Sequence, residues 1–147
     1  MTCSVESVRL WVPDDREVFE LLLDGDTVDP MEMARAYNLD TTGWKFEGPA
    51  VESTQTCRFK LVWVGYCRDL DEVRRKVEAN AGETLAEGQW REAFKVAYLP
   101  CNGDFGFGGS RWTDSLGRSH FACLRGPFPF WRASLQLSDG SLGSDLG

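Results

Sequence analysis

Val8, Leu10 and Val12 alternate with Arg9 and Trp11, the period-two rhythm of a short strand. Pro13 ends that rhythm. Asp14 and Asp15 then offer caps to EVFELLLD, in which Val18, Leu21 and Leu22 line one face of an expected helix. Acidic residues in its first turn suit the helix dipole, and Gly25 supplies a stop. Asp29 and Pro30 mark the start of a second, shorter helix through MEMARAY. NLDTTG reads as a turn, and Trp44 and Phe46 flank Lys45 in an expected strand.

The densest β signal is CRFKLVWVGYC, residues 57–67, too rich in valine and aromatics for a surface helix. Asp69 with Glu72 makes a capping-box-like start, and Leu70, Val73, Val77 and Ala81 follow at helical spacing up to Gly82. EAFKVAYL fits two patterns. It alternates as a strand through Phe94, Val96 and Tyr98, or continues a helix through Trp90, Phe94 and Ala97. Pro100 and Asn102-Gly103 close it in the manner of a strand, which is the reading preferred from sequence. SHFACL and FWRASLQL add two strands around a Gly-Pro turn, and the small polar SDGSLGSDLG is expected to fray.

The resulting order, β-α-β-β-α-β, predicts an α+β fold of the ferredoxin-like sandwich type. An extra helix lengthens the first crossover, and a C-terminal β-hairpin extends the sandwich. One domain over residues 1–137 with a tail at 138–147 accounts for the chain, since no repeat or linker suggests a boundary. At 147 residues such a domain buries roughly 68–70% of its unfolded surface.

Charge changes the picture more than composition does. Residues 1–53 carry twelve acidic side chains against four basic ones, and the remainder is nearly balanced. The net charge of −7 therefore resides in the first third of the chain, which bears on partners rather than on fold. An acidic chain is poorly suited to neutralising phosphates, which argues against nucleic acid. No apolar run approaches the roughly 20 residues of a membrane span. The first residues lack the pattern of a secretory signal, and five scattered cysteines fit reduced thiols in a cytoplasmic protein.

The stretch CNGDFGFGGSRWTDSLGRSHF, residues 101–121, invites a phosphate-binding reading. Gly103 and Gly108 have Walker spacing, but Gly109-Ser110 stands where Lys-Ser is required, and Arg111 breaks a dinucleotide-type glycine pattern. A kinase-type DFG needs a whole domain that 147 residues cannot hold. The glycines are therefore expected to serve tight turns at Asn102-Gly103 and Ser115-Leu116-Gly117. No metal site and no cofactor is expected: there is no C-x-x-C, one histidine, and the Asp24–Asp29 run departs from a calcium loop.

Two sets of residues remain as candidate binding surfaces. If Val8, Leu10 and Val12 pack beneath the helices, the opposite sheet face collects Arg9, Trp11, Lys45, Arg58, Lys60 and Tyr66, a basic and aromatic surface for an anionic or aromatic ligand. The C-terminal hairpin could equally cover that face. Asp14, Asp15, Glu17, Asp24 and Asp26 form an acidic patch for a protein partner. His120, the sole histidine, could form a nucleophilic pair with Cys101 or Cys57, though their spacing gives it no support. The favoured expectation is a non-catalytic module binding a small molecule or a protein partner, with a homodimer seam as one form. A small enzyme with a Cys/His or carboxylate site is the alternative, and a single-stranded nucleic-acid binder ranks below it.

Overall fold

The computed structural model describes residues 10–24, 28–37, 40–65, 67–81 and 84–138. In chain order the elements are β1 (Val18–Asp24), α1 (Pro30–Tyr37), β2 (Lys45–Glu47), β3 (Thr54–Lys60), α2 (Leu70–Ala81), α3 (Trp90–Ala97), β4 (Asp104–Thr113), β5 (Ser119–Arg125) and β6 (Arg132–Leu137). The fold is mixed α+β with two antiparallel sheets, a β1-β3 pair and a four-stranded β2-β4-β5-β6 sheet. None of the helices among the described residues is long and apolar enough to cross a membrane.

Several local signals act as the pattern implies. Asp69 Oδ1 accepts the Glu72 amide at 2.9 Å, and Glu72 Oε1 accepts the Arg68 amide at 2.9 Å, so α2 begins with two otherwise orphaned donors satisfied. Asp29 Oδ1 accepts the Met31 amide at 3.3 Å at the start of α1. The strands expected at 119–124 and 130–137 form, as β5 and β6. They are not an extension, however. β5 is one of the two inner strands of the larger sheet and is buried on both faces, with Phe121 and Cys123 facing α2 and Ala122 and Leu124 facing the main core.

Two elements reverse the expectation, and with them the ferredoxin-like arrangement gives way to two sheets. Residues 17–24, read as a helix, form β1. Phe19, Leu21 and Leu23 share one face, and pairing with β3 buries Leu21 and Leu23. The run of three leucines satisfies either period, so the tertiary partner decides. Residues 92–99, read as a strand, contain most of α3. Trp90 and Phe94, four residues apart, are almost wholly buried on one helical face.

The Phe94 ring sits at the junction of the two sheets. Its centroid lies 6.0 Å from Phe19 of β1, 5.4 Å from Phe105 of β4 and 6.0 Å from Trp131. The helix that the pattern made ambiguous is thus the element that joins them. The expected strand at 57–67 is shifted to 54–60, and Trp63 beyond it is exposed. Of the expected first strand, Leu10 makes a single parallel bridge to Tyr98. Residues 1–9, the Gly25 and Gly82 stops, Asn38 and Leu39 of the NLDTTG turn, and the tail beyond Ser138 lie outside the described residues.

The glycines of 101–121 do more than turn the chain. Gly117 has φ +82° in the β4–β5 turn, as expected. Gly106, Gly108 and Gly109 instead lie inside β4, where the register shifts between Phe107 and Trp112. A Cβ on Gly109 would stand 2.4 Å from the Leu85 carbonyl oxygen, and the Gly109 amide donates to Ala86 O at 2.7 Å. Absence of a side chain lets the 84–88 segment lie directly against the strand.

Candidate functional site

A groove of about 350 Å³ runs between β1 and α3. Four consecutive residues of β1, Glu20 to Leu23, line it. Successive strand side chains point to opposite faces, so a groove lying on a sheet face would meet every second residue. Consecutive ones mean that it follows the strand's edge and exposes backbone. Among the described residues β1 pairs only with β3, leaving the opposite edge without a strand.

The helical wall is low because of its residue types. Ala93 and Ala97, four residues apart, face the strand beside Val96. Leu21 and Leu23 are buried in the core, while Leu22 is 64% and Val96 65% exposed. Glu20 and Glu92 add a carboxylate from each wall. Glu92 is held 2.8 Å from the buried Arg91 guanidinium, whereas Glu20 is 3.9 Å from Arg58, with both side chains largely exposed. The arrangement can take up an extended apolar segment and can attract positive charge.

The acidic residues singled out in sequence cluster around the ends of β1. Asp14 and Glu17 close the turn before it, the Glu17 carboxylate accepting the Asp14 amide at 2.9 Å and the Glu17 amide donating to Asp14 O at 3.1 Å. Asp15 Oδ1 accepts the Trp63 amide at 2.8 Å. Asp24, at the far end of β1, accepts from Thr54 Oγ1 at 3.2 Å. Asp26 lies outside the described residues. These carboxylates shape the strand's ends, Asp14, Asp15 and Glu17 before it and Asp24 at its last residue.

The basic set does not converge. Arg58 and Lys60 are exposed on β3, two residues apart and paired opposite Glu20 and Val18. Lys45 belongs to the other sheet, opposite Thr113. Trp11 is exposed on the segment beside Tyr98, and Arg9 and Tyr66 lie outside the described residues. The single open sheet face that would have united them requires the one-sheet topology, which the strands do not adopt.

His120 and Cys101 are far apart. Cys101 O packs against Gly126, beyond the end of β5, and Gly126 to His120 is about 20 Å of extended strand. His120 is instead a cross-link of the β4–β5 hairpin. Its Nε2 lies 2.9 Å from Asp114 Oδ2, and Trp44 stacks on the ring at 5.0 Å. Asp114 also accepts the amides of Leu116 and Arg118 and the Arg118 guanidinium, at 2.9, 2.9 and 2.8 Å.

The His120 contact, above all, holds the Asp114 carboxyl well below the usual carboxylate range against the opposing effect of burial; the Arg118 and Leu116 amides and the Arg118 guanidinium add to it. An ionised carboxylate only accepts, so His120 Nε2 carries the proton. Its Nδ1 is enclosed and has no partner among the described residues. The four described cysteines form no disulfide, and no group of three or more His, Cys, Asp or Glu among the described residues could hold a metal ion.

No protein-family model, no curated protein and no solved structure matches this chain.

Sequence reasoning missed the groove. Its lining residues are ordinary apolar ones that any core would use, and two of the elements that build it were assigned to the wrong class. The signal that could have found it was the helical reading of Trp90, Phe94 and Ala97, weighed together with the period-two set Phe19, Leu21 and Leu23.

Proposed function

We propose that this protein is a non-catalytic binding module that captures an extended, basic and apolar segment of a protein partner along the open edge of β1. The observation that carries the reading is the consecutive lining of the groove by Glu20, Leu21, Leu22 and Leu23 opposite Ala93 and Val96. A strand edge beside a helix supports recognition by strand addition, in which backbone hydrogen bonds give affinity and alternate side chains give selectivity.

The partner's chemistry follows from the solvent face of β1, which reads Val18, Glu20, Leu22, Asp24. A segment paired alongside would place apolar side chains near Val18 and Leu22 and Lys or Arg near Glu20 and Asp24. Covering Leu22 and Val96 contributes about 3 kcal/mol on apolar area. The acidic excess of residues 1–53 favours the same sign of partner and speeds its encounter.

The test is calorimetric titration of the protein with a heptapeptide of sequence Lys-Thr-Leu-Thr-Arg-Thr-Val and with its Glu-for-Lys/Arg counterpart. The basic peptide binds and the acidic one does not. Val96→Arg, at an exposed helical position, weakens the basic peptide by about tenfold or more. Equal binding of both peptides, or no effect of Val96→Arg, would contradict the reading.

A further inference from the structure

A second cavity, of about 270 Å³, lies where the end of α1 meets β6. Its lining is of a different chemistry from the β1 groove: Tyr37, Arg125, Arg132, Ser134, Leu135 and Gln136. None of these residues lines the proposed partner groove, although Arg91 lies between the two, its Nη1 donating to Ser134 O at 3.0 Å while its Nε is 2.8 Å from Glu92.

The informative feature is a row of charges across three strands. Asp104 of β4 pairs in register with Arg125 of β5, and Arg125 pairs in register with Arg132 of β6. Arg125 Nε is 2.8 Å from Asp104 Oδ1, which accounts for one of the two guanidinium charges. Arg132 has no acidic partner among the described residues. Like charges directly opposite one another on a sheet are unfavourable, and a bound anion between them reverses the sign of that interaction.

The remaining polar groups suit such an anion. Arg132, Ser134 and Gln136 are alternate residues of β6 and therefore share one face with Arg125. Tyr37 approaches from α1 with a hydroxyl and a half-exposed ring. The Arg132 fork, two hydroxyls and a side-chain amide, beside the Arg125 guanidinium whose Nε is held by Asp104, supply more donors than the two oxygens of a carboxylate use, and they match the three terminal oxygens of a phosphate. The volume exceeds what a phosphate group fills, and the half-exposed Tyr37 ring offers apolar surface to the rest of the ligand.

We infer that this cavity is a binding site for a small phosphomonoester bearing a ring, the phosphate held between Arg125 and Arg132 and the ring against Tyr37. Phenyl phosphate is the probe, with inorganic phosphate and benzoate as comparisons, followed by NMR of the arginine side-chain Nε–H signals and by calorimetry. Phenyl phosphate shifts the Arg125 and Arg132 signals and binds more tightly than either comparison. Arg132→Gln, at an exposed position, weakens phenyl phosphate by about tenfold or more while the thermal melt is retained. Tyr37→Ala, on the opposite wall, weakens phenyl phosphate more than inorganic phosphate. Benzoate binding as tightly as phenyl phosphate would overturn the phosphate assignment, and inorganic phosphate binding as tightly would overturn the ring. Unchanged affinity in Arg132→Gln, or no response of the two arginine signals, would overturn the site.

Discussion

Asp114 and His120 close the β4–β5 hairpin on itself, with the carboxylate oxygen 2.9 Å from the imidazole nitrogen and both side chains almost wholly buried. The same carboxylate gathers two turn amides and the Arg118 guanidinium, so its ionised form is preferred in the folded state. A carboxyl depressed in this way contributes stability above its unfolded pKa of about 3.9, and that contribution is lost as pH falls towards the folded value. Asp114→Asn is therefore expected to lower the melting temperature at pH 7 and to flatten the fall in stability below about pH 4. Melting curves from pH 2 to pH 7 for the two proteins test this; parallel curves would remove the special role of Asp114.

Gln89 is fully buried and acts as a clamp between segments distant in sequence. Its Oε1 accepts the Val51 amide at 2.6 Å, and its Nε2 donates to Val51 O at 3.0 Å and Val28 O at 2.7 Å. Gln89→Leu keeps the volume but strands three backbone groups in an apolar setting, at a cost of about 1–3 kcal/mol for each one left unsatisfied. Urea denaturation should show a loss of about 3 kcal/mol or more. A loss below about 1 kcal/mol would mean that other groups or water take over the bonds.

Two glycines of the 101–121 stretch separate conformational strain from steric exclusion. At Gly109 an added Cβ meets backbone 2.4 Å away, so Gly109→Ala must push the 84–88 segment off β4 and cost roughly 1–3 kcal/mol. At Gly117, φ is +82° but an added Cβ has nothing within 4 Å, so Gly117→Ala costs only the left-handed backbone penalty of about 1–2 kcal/mol. The two variants also differ in kind. Gly109→Ala should perturb amides of residues 84–88, whereas Gly117→Ala should perturb only the turn, as two-dimensional NMR spectra would show.

The Phe94 ring holds the two sheets together, and its loss should be felt in both. Phe94→Ala removes contacts with Phe19, Phe105 and Trp131 and is expected to destabilise by about 3–5 kcal/mol. Because α3 forms one wall of the β1 groove, peptide binding should weaken in the same variant under conditions where it remains folded. Retained binding at reduced stability would show that the groove does not depend on this anchor.

These sites were unevenly legible in the sequence. α2 was readable because Asp69, Glu72, Leu70, Val73 and Val77 all agree on one helix, and local caps outweigh context there. Strand β6 was readable from the alternation of Ala133, Leu135 and Leu137 with Arg132, Ser134 and Gln136, and β5 as a short, mostly apolar run before the Gly-Pro turn. β1 and α3 were not, since Leu21-Leu22-Leu23 and Phe94 to Tyr98 satisfy both periods and only their mutual packing selects one. Those two elements form the groove, so the proposed site was hidden by the same ambiguity. The acidic residues around β1 could be listed, but not their placement at the ends of a strand. The pairing of Arg125 with Arg132 depends on β5–β6 register, which a six-residue loop does not specify.

The most direct measurement is amide hydrogen exchange of residues 18–23 with and without the Lys-Thr-Leu-Thr-Arg-Thr-Val peptide. In the free protein the β1 amides that point away from β3 should exchange faster than those in the β1-β3 ladder. On binding, strand addition predicts protection of alternate amides within this stretch, those on the open edge, with little change in β3. Binding that leaves those amides as fast as before would contradict the account, because only a partner held on some other face would leave the open edge unprotected.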